Sequence, residues 1–502
     1  MINWSRQIAL GASLIVAISL SELLGEKQDS DPIELTSQVQ LFVDDFLIQE
    51  MQGVARSLHT PSKARENPVL VADRPWEGGL SLEAGTVLYE PGQGVFRMWY
   101  NALPSRDKPD VVESLCYATS TDGVNWEKPN LGLVEFEGSR ENNILLKGSN
   151  WYHSVLRDDS DHDADRRYKL AYWQTRDRNR CGIWVAFSRD GIRWERHPNN
   201  PVIPCSASGD TFSVTQDPAT KHYYLYNKSR IRPLRKVSRM VSDDFVHWRD
   251  EQLILEPDEL DEPDTEFYSM AVFPYGSQYL GFLRVFHTYS QLMDVQLASS
   301  RDGINWERSA RRRVFLPLGF MRNEYGGRSF DSGMNSALAP VLKDDQLWIY
   351  YPGFDNLHNA PALDHYGKIG LARLRLDGFC SLTSTSQGYV QTKPLRFRGN
   401  SLSINAVVRS MVGDGDDPNP TWEGLFTNAP GGQGSIRIEI QDEGGQAISG
   451  YEASSCKPLQ DDGIGQRVTW NDGKDLAPLD GKVVRLKFVL TNASLYSFRI
   501  GE

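Results

Sequence analysis

The sequence lacks the features that mark several common functional classes. Its formal net charge is −12, which argues against a nucleic-acid or anionic-membrane partner, because both favour a basic surface. It contains no Gly-x-Ser-x-Gly elbow and no phosphate-binding loop, so esterase and nucleotide chemistry are disfavoured. Helical periodicity is nearly absent beyond the N-terminal segment, while short β-rich runs alternate with turns of Gly, Pro, Asn and Asp. An all-β fold is therefore expected.

Cysteine is also scarce, and its pattern argues against a metal or redox motif. The cysteines are Cys116, Cys181, Cys205, Cys380 and Cys456. Their spacing fits neither a zinc site nor a redox pair, and their odd number leaves at least one unpaired. Buried free thiols are therefore favoured over disulfides. No cofactor or metal is predicted, and a structural calcium ion in a central funnel is the alternative.

The N-terminus carries the most hydrophobic run. Arg6 precedes an apolar stretch from Ile8 to Leu20, which is shorter than the roughly 20 residues that a membrane-spanning helix needs. A charged start followed by a short apolar run is typical of a secretory signal. Residues 1–28 are therefore predicted to be a signal peptide, with a retained N-terminal anchor as the alternative. A secreted, periplasmic or extracellular location follows from this prediction.

The sequence does contain a repeated polar turn. Four similar segments place Ser, Asp and Trp at fixed spacing, and a degenerate fifth copy follows. The copies are Ser120–Trp126, Ser188–Trp194, Ser242–Trp248, Ser300–Trp306 and Leu376–Phe379. Asp caps such a turn, Gly adopts a positive φ and Trp packs between sheets, so these residues are predicted to be structural. Repeats of this kind with strands on both sides are typical of a β-propeller.

The runs between these turns divide the 502-residue chain. Three β-rich runs precede each turn, which predicts a five-bladed β-propeller over residues 38–390. The segment Leu41–Asp45 is expected to supply a strand that closes the ring. From 391 to 502 the repeated turns stop, and runs such as Ser435–Ile440 alternate inward and outward side chains. This change predicts a C-terminal β-sandwich.

A propeller brings the first strand of every blade to one axis, so distant residues face a single funnel. The first strands align on a small hydroxyl residue in each blade: Thr86, Ser154, Ser213, Ser269 and Ser336. Three positions earlier stand Glu83, Asp210 and Glu266, in blades one, three and four. Carboxylates in one cleft repel each other and share protons. At least one of them is therefore expected to have a raised pKa and to act as an acid near neutral pH.

These acids suit the cleavage of glycosidic bonds. One carboxylic acid protonates the leaving oxygen, and a second carboxylate attacks the anomeric carbon or activates water. The preferred assignment makes Glu83 the nucleophile or base and Glu266 the acid, with Asp210 orienting the sugar or tuning the acid. The alternative is that the three acids cap strands or bind a structural cation.

Six further residues are candidates for binding a sugar. They are Trp76, Glu77, Tyr152, His153, Arg328 and Asp331. Trp76 and Glu77 precede blade one, and Asp331 lies just before blade five. Tyr152 and His153 follow the position in blade two that corresponds to Glu83 in blade one. Arg328 is a candidate for holding a carboxylate or sulfate of an acidic glycan. Loop packing, solvation or ordinary hydrogen bonding is the alternative for these residues.

The repeat pattern and the central acids resemble those of the five-bladed propeller glycoside hydrolases, the invertase/levanase and arabinanase/xylosidase families. The succeeding sandwich resembles the invertase-type arrangement. Those families carry a catalytic acid in each of the first three blades. Glu83 matches the first, and Asp210 and Glu266 match the second and third only if the blade that carries His153 is skipped or counted differently. The invertase Asn-Asp-Pro-Asn-Gly signature is absent, and Arg74–Gly79 stands near its place. Fructan specificity is therefore not implied by the resemblance.

Three hypotheses about function follow. The first is a secreted glycosidase that hydrolyses O-glycosyl bonds of a polysaccharide or oligosaccharide. The second is a carbohydrate-binding propeller without catalysis. The third is an interaction scaffold, which predicts a funnel floor of apolar or neutral residues and is disfavoured by the aligned acids. A carbohydrate partner is expected. No nucleic-acid partner is expected, and no membrane contact beyond the alternative N-terminal anchor. The oligomeric state is left open.

Overall fold

The computed structural model describes residues 31–79, 81–103, 112–148, 150–175, 180–229, 234–321, 327–360, 366–408 and 434–501. Within these ranges the protein is almost entirely β-structure and contains no α-helix. The described 3-10 turns are Pro75–Glu77, Ala164–Arg166, Ala310–Arg312, Asn471–Gly473 and Ala477–Leu479. The predicted signal segment lies outside the described residues, and inside them no helix has the length and apolar character needed to cross a bilayer.

Five short strands precede the repeats: β1 (Ile33–Glu34), β2 (Gln40–Leu41), β3 (Ile48–Gln52), β4 (Ala55–Leu58) and β5 (Ser62–Lys63). The expectation that Leu41–Asp45 closes the propeller ring is wrong. Leu41 pairs with Ser497 near the end of the chain. Lys63 of β5 instead pairs with Ala372, on the last strand of the repeats.

The repeats form successive antiparallel strand groups. The first contains β6 (Ser81–Glu90), β7 (Val95–Leu103), β8 (Ser114–Ser120) and β9 (Ile144–Lys147). The second contains β10 (Asn150–Arg157), β11 (Tyr168–Gln174), β12 (Gly182–Ser188), β13 (Glu195–Arg196) and β14 (Ile203–Pro204). The third contains β15 (Phe212–Gln216), β16 (Tyr223–Lys228), β17 (Val237–Ser242) and β18 (Arg249–Leu255).

The remaining two groups share one sheet, joined by a parallel contact between Met293 and Met334. The fourth contains β19 (Thr265–Tyr275), β20 (Gln278–His287), β21 (Leu292–Ser300), β22 (Glu307–Arg308) and β23 (Val314–Leu316). The fifth contains β24 (Met334–Asn335), β25 (Val341–Lys343), β26 (Gln346–Phe354), β27 (Gly367–Arg375) and the early strand β5. We interpret each group as one propeller blade.

The innermost strands enclose a central cavity of about 420 Å³. The aligned hydroxyl residues all line it: Thr86, Ser154, Ser213, Ser269 and Ser336. Three of these hydroxyls also join adjacent groups. The Thr86 hydroxyl accepts a hydrogen bond from the Val155 amide at 2.9 Å, the Ser154 hydroxyl from the Val214 amide at 3.2 Å, and the Ser213 hydroxyl donates to the Met270 carbonyl at 2.7 Å. The predicted alignment is thus the register of the inner strands.

The repeated turns lie at the end of the propeller opposite Glu83. Ser120 pairs with Phe96, which also pairs with Tyr89 at the far end of β6. Inside the first turn, the carboxylate of Asp122 accepts hydrogen bonds from two backbone amides at 2.8 Å each. These and neighbouring side-chain hydrogen bonds outweigh partial burial and lower the pKa of Asp122. The turn aspartates are therefore structural, as predicted.

The glycine in two of these turns accepts a hydrogen bond from the preceding group in the ring. The Gly191 carbonyl accepts a hydrogen bond from the Trp99 indole at 2.8 Å, and the Gly123 carbonyl accepts one from the Tyr350 hydroxyl at 2.7 Å. The second bond links the fifth group to the first and closes the ring. Gly123 has a φ of 76°, and a Cβ there would lie 2.7 Å from the Trp348 ring and 2.7 Å from the Tyr350 hydroxyl. This position therefore requires glycine.

The C-terminal domain is a ten-stranded arrangement around one long strand. Its later strands are β28 (Cys380–Thr392), β29 (Leu395–Arg396), β30 (Ser401–Val408), β31 (Ser435–Gln441), β32 (Gly463–Arg467) and β33 (Val483–Gly501). Strand β33 pairs with β2, β28, β29, β30 and β31, while β3 and β4 pair with β28. Because β28 belongs here, the domain boundary lies before Cys380 and not at the predicted residue 391. Residues 33–58 also contribute strands to this domain.

The cysteine prediction holds for only part of the set. Cys181 and Cys205 form a disulfide that joins β12 to the end of β14. Cys116, Cys380 and Cys456 are buried free thiols. The spacing of the pair follows no motif, because the bond depends on an antiparallel contact between β12 and β14.

Candidate active site

Bulges in the inner strands aim polar side chains at one end of the central cavity. In β6, Ala84 pairs with Tyr100 and Thr86 with Trp99, so Gly85 is an extra, unpaired residue. Glu83 is consequently on the same face as Thr86, although the two residues are an odd number of positions apart in the sequence. β19 has the same irregularity, with Tyr268 as the extra residue. Bulges commonly redirect side chains near functional sites.

Glu83 lies in the wall of the cavity and is only 4% exposed. Burial raises its pKa from the ordinary 4.5 to about 7, and the nearby charge of Asp210 adds to this effect. Arg284 and a hydrogen bond from Tyr152 oppose the rise. Glu83 therefore changes protonation near neutral pH, as expected for one of the aligned acids.

The other two aligned acids each form an ion pair. Asp210 pairs with Lys228, and Glu266 pairs with Arg235. Asp210 interacts electrostatically with Glu83, whereas Glu266 is connected to the group through its arginine. The structure thus brings Glu83 and Asp210 together and places Glu266 beside them. Their predicted catalytic roles remain predictions.

The ring of Tyr268 is the centre of this group. The Lys228 ammonium lies 4.4 Å from the ring centroid, the Arg284 guanidinium 5.1 Å and the Arg235 guanidinium 5.3 Å. An aromatic face attracts cations, so one bulged tyrosine holds three positive charges in place. His358 contacts the Tyr268 hydroxyl at 3.2 Å, and burial followed by these three cations lowers its pKa. We call Glu83, Asp210, Glu266, Tyr268 and the three cations the charged pit.

The two predicted binding residues of blade two have different surroundings. Tyr152 lies in the cavity wall, and its hydroxyl accepts a hydrogen bond from Arg284 at 3.1 Å. His153 also borders the cavity, but its Nε2 contacts the Trp99 carbonyl at 3.0 Å. Burial lowers the pKa of His153 to about 4. His153 is therefore neutral and packed between two blades, which favours the ordinary hydrogen-bonded alternative.

Trp76 and Glu77 do not line the mouth of the cavity. Glu77 is fully buried and accepts hydrogen bonds from the Tyr100 hydroxyl at 2.7 Å and the Lys128 ammonium at 2.8 Å. The Trp76 indole donates to the Asn143 side chain at 2.6 Å. Both residues support the loop before β6, so the geometry favours the packing alternative over sugar binding.

The two candidates before blade five are also outside the charged pit. Asp331 is buried, forms an ion pair with Lys63 and accepts a hydrogen bond from the Tyr351 hydroxyl at 3.0 Å. It thereby anchors the ring-closing strand β5. Arg328 is exposed beside residues 322–326, which lie outside the described ranges. A substrate role for Arg328 remains a prediction.

Sequence reasoning missed the cations of the charged pit. Arg284 is 3% exposed and sits within β20, whose other residues are mostly apolar. A single arginine in such a strand is a usable signal, because a buried charge needs a specific partner. Lys228 and Arg235 offer no comparable signal, since both flank a loop.

Exposed aromatic side chains stand near the same end of the propeller. Tyr289 is 84% exposed in the turn after β20, and Thr265 pairs with His287 at that end of the strand. Phe320 is 78% exposed in the segment that leads to β24. Tyr366 is exposed directly before β27. In the described part of the chain, no group of three or more His, Cys, Asp or Glu side chains is arranged to hold a metal ion.

No protein-family model and no curated protein matches the chain. Similar solved structures include the GH32 β-fructofuranosidase of Bombyx mori, with 12% identity, a TM-score of 0.39 and coverage of 84% of this chain and 91% of that chain. A fructofuranosidase from Schwanniomyces occidentalis has 11% identity, a TM-score of 0.41 and coverage of 88% and 98%. An N-acetylgalactosamine deacetylase from F. plautii has 15% identity, a TM-score of 0.42 and coverage of 65% and 97%. Similarity this distant carries no conclusion about the fold or the activity of this chain.

Proposed function

We propose that the protein is a glycoside hydrolase whose chemistry takes place in the charged pit. The observation that carries this proposal is Glu83, a buried carboxyl in the wall of the central cavity with a pKa of about 7 and a second carboxylate, Asp210, beside it. Glycosidic cleavage needs one carboxyl that is protonated near neutral pH and one that is ionised. The pit supplies this combination.

Glu83 is the proton donor in this proposal. Its raised pKa keeps a proton available for the leaving oxygen at neutral pH. Asp210, which is ion-paired with Lys228, is the carboxylate that faces the anomeric carbon or its attacking water. The sequence-based assignment made Glu83 the nucleophile or base and Glu266 the acid. The environments of the two glutamates favour Glu83 over Glu266 as the proton donor, because burial raises the pKa of Glu83 whereas Glu266 is ion-paired with Arg235.

The expected substrate is a polysaccharide or oligosaccharide. Tyr289, Phe320 and Tyr366 are exposed near the end that carries the pit, and aromatic faces stack on the apolar faces of sugar rings. Several such side chains at a distance from the catalytic acids suit a substrate of more than one sugar unit. The disulfide between Cys181 and Cys205 supports an oxidising compartment such as the periplasm or the extracellular space.

The direct test is the release of reducing ends from a polysaccharide panel by the purified protein. We expect hydrolysis of at least one polysaccharide, and a loss of about 100-fold or more in kcat for Glu83→Gln. Glu307→Gln, which changes an exposed glutamate on β22, is the matched control. Full activity of Glu83→Gln on a substrate of the unmodified protein would refute the proposed role of Glu83.

A carbohydrate-binding propeller without catalysis is the second candidate. It is favoured by the ion pairs of Asp210 and Glu266, since carboxylates held by cations also serve to position a ligand. Retained glycan binding with no bond cleavage in the unmodified protein would select this candidate.

A further inference from the structure

The positive charges of the pit exceed what its ionised acids balance. Lys228, Arg235 and Arg284 surround Tyr268 at 4.4 to 5.3 Å. The first two are matched by Asp210 and Glu266 in ion pairs. Arg284 forms no ion pair among the described residues, and the nearest candidate for its counter-charge is Glu83.

Arg284 is a buried side chain whose hydrogen-bonding capacity is only partly used within the described residues. It is 3% exposed, and one of its terminal nitrogens donates to the Tyr152 hydroxyl at 3.1 Å. Its Nε has no hydrogen-bond partner in the described part of the protein. A buried guanidinium with an unused donor is costly unless a ligand satisfies it. Guanidinium groups match the planar oxygens of carboxylates and the oxygens of sulfate.

Below its pKa of about 7, Glu83 does not cancel this charge. Burial keeps a large fraction of it protonated there, and a lowered pKa keeps His358 neutral. The pit then holds three cations and two anions. This surplus of one positive charge lies in a chain whose net charge is −12, so it belongs to the pit and not to a generally basic surface.

We propose that the charged pit binds a sugar bearing one negatively charged oxygen group, a carboxylate or a sulfate half-ester, and that Arg284 is the residue that recognises this group. The inference rests on the proposed function for the reaction that follows binding, but the binding itself does not require hydrolysis. A bound anion would also oppose the ionisation of Glu83. Substrate binding would thereby keep the proton donor loaded.

The test compares anionic polysaccharides with chemically neutralised forms of the same chains. One arm uses uronate polysaccharides and their carboxyl-reduced forms, and the other uses sulfated polysaccharides and their desulfated forms. We expect kcat/KM to be about 30-fold or more higher for the anionic form in one arm, and that arm identifies the group. Equal rates on the anionic and neutral forms would overturn the inference while leaving the proposed function standing.

The variant Arg284→Gln tests the residue itself. We expect it to lower kcat/KM on the anionic polymer by about 30-fold or more beyond any loss on the neutral polymer, so that the preference disappears. A purely structural role would lower both rates equally. Arg193→Gln is the matched control, since Arg193 is 73% exposed in a turn at the opposite end.

Calorimetry and analysis of the reaction product keep binding separate from hydrolysis. Titration calorimetry compares the binding of galacturonate, glucuronate and galactose 6-sulfate with that of galactose and glucose. It uses the unmodified protein, so its result does not require that a variant fold. Selective binding of an acidic sugar supports the inference, and equal or absent binding of all five overturns it. Anion binding with no release of reducing ends, or with an ultraviolet-absorbing unsaturated sugar as product, would support the inference and refute the hydrolase proposal.

Discussion

The ionisation of Glu83 should be visible in the stability of the protein. Glu83 is almost fully buried, and its pKa in the folded protein is about 7 in place of 4.5. A folded-state pKa above the unfolded value means that the folded state holds the proton more tightly. This contribution to stability is fully present below about pH 4.5 and is lost as the pH rises through about 7.

The size of this effect follows from the two pKa values. At about 1.4 kcal/mol for each pH unit, a rise from 4.5 to about 7 corresponds to about 3 kcal/mol of unfolding free energy. Glutamine has nearly the same shape and cannot ionise. The difference in unfolding free energy between Glu83→Gln and the unmodified protein should therefore move by about 3 kcal/mol in favour of the variant between about pH 4 and pH 8.5.

Urea unfolding followed by tryptophan fluorescence at a series of pH values measures this difference. Subtracting the unfolding free energies of the two proteins at each pH removes the contribution of all titrating groups that they share. Glu307→Gln gives the baseline for an exposed glutamate. A variant-minus-unmodified difference that stays within about 0.5 kcal/mol over the whole range would show that Glu83 titrates as an ordinary glutamate. In that case the argument for its role as proton donor would fail.

Three other predictions concern neighbouring groups. The alkaline limb of the kcat/KM profile should have its midpoint near 7, because the proton donor is lost as Glu83 ionises; a limb displaced by two pH units or more would assign the step to another group. Glu77→Gln removes one of the two carboxylates that pair with the buried Lys128, the other being that of Asp73, and should cost about 1–3 kcal/mol in urea unfolding with an unchanged KM, whereas a raised KM would indicate substrate contact. His153→Gln keeps a donor for the Trp99 carbonyl but cannot be protonated, so the variant should lack the loss of stability that the unmodified protein shows as the pH falls from 6.5 to about 4; the two proteins would show the same pH dependence of unfolding across that range if His153 is not buried in its neutral form.

The sequence was sufficient to align the inner strands but not to find their bulges. Thr86 and Ser213 could be aligned because each stands in a short β-rich run before a repeated turn. The extra residues Gly85 and Tyr268 left no signal, since an unpaired residue in a strand is defined by its partner strand. The acids were nevertheless placed correctly at one end, because the alignment counted residues from the hydroxyls and the bulges lie inside that count.

The error about Leu41 has a different physical cause. Leu41 and Val43 pack against the core of blades four and five, while Phe42 enters the core of the C-terminal domain. The sequence predicted a strand in this segment. It could not identify the pairing strand, because β33 lies at the other end of the chain. The true closing strand, β5, is two residues long and has no periodicity to detect.

The two ends of the propeller therefore have different physical demands. At one end, Asp122 and its equivalents are saturated by hydrogen bonds from their own turns, and Gly123 connects one blade to the next. At the other end, the Nε of Arg284 donates to no group among the described residues, and burial lets Glu83 keep a proton that it would lose in water. The aligned hydroxyl residues, which include Thr86 and Ser213, lie between the two ends and fix the inner strands in register. The end that carries the repeated turns can therefore maintain the geometry of the end that carries the charged pit. The buried guanidinium of Arg284 and the buried carboxyl of Glu83 are both unfavourable, and the strongly constrained remainder of each blade keeps them in place. An unfavourable arrangement of this kind is expected at a ligand-binding site.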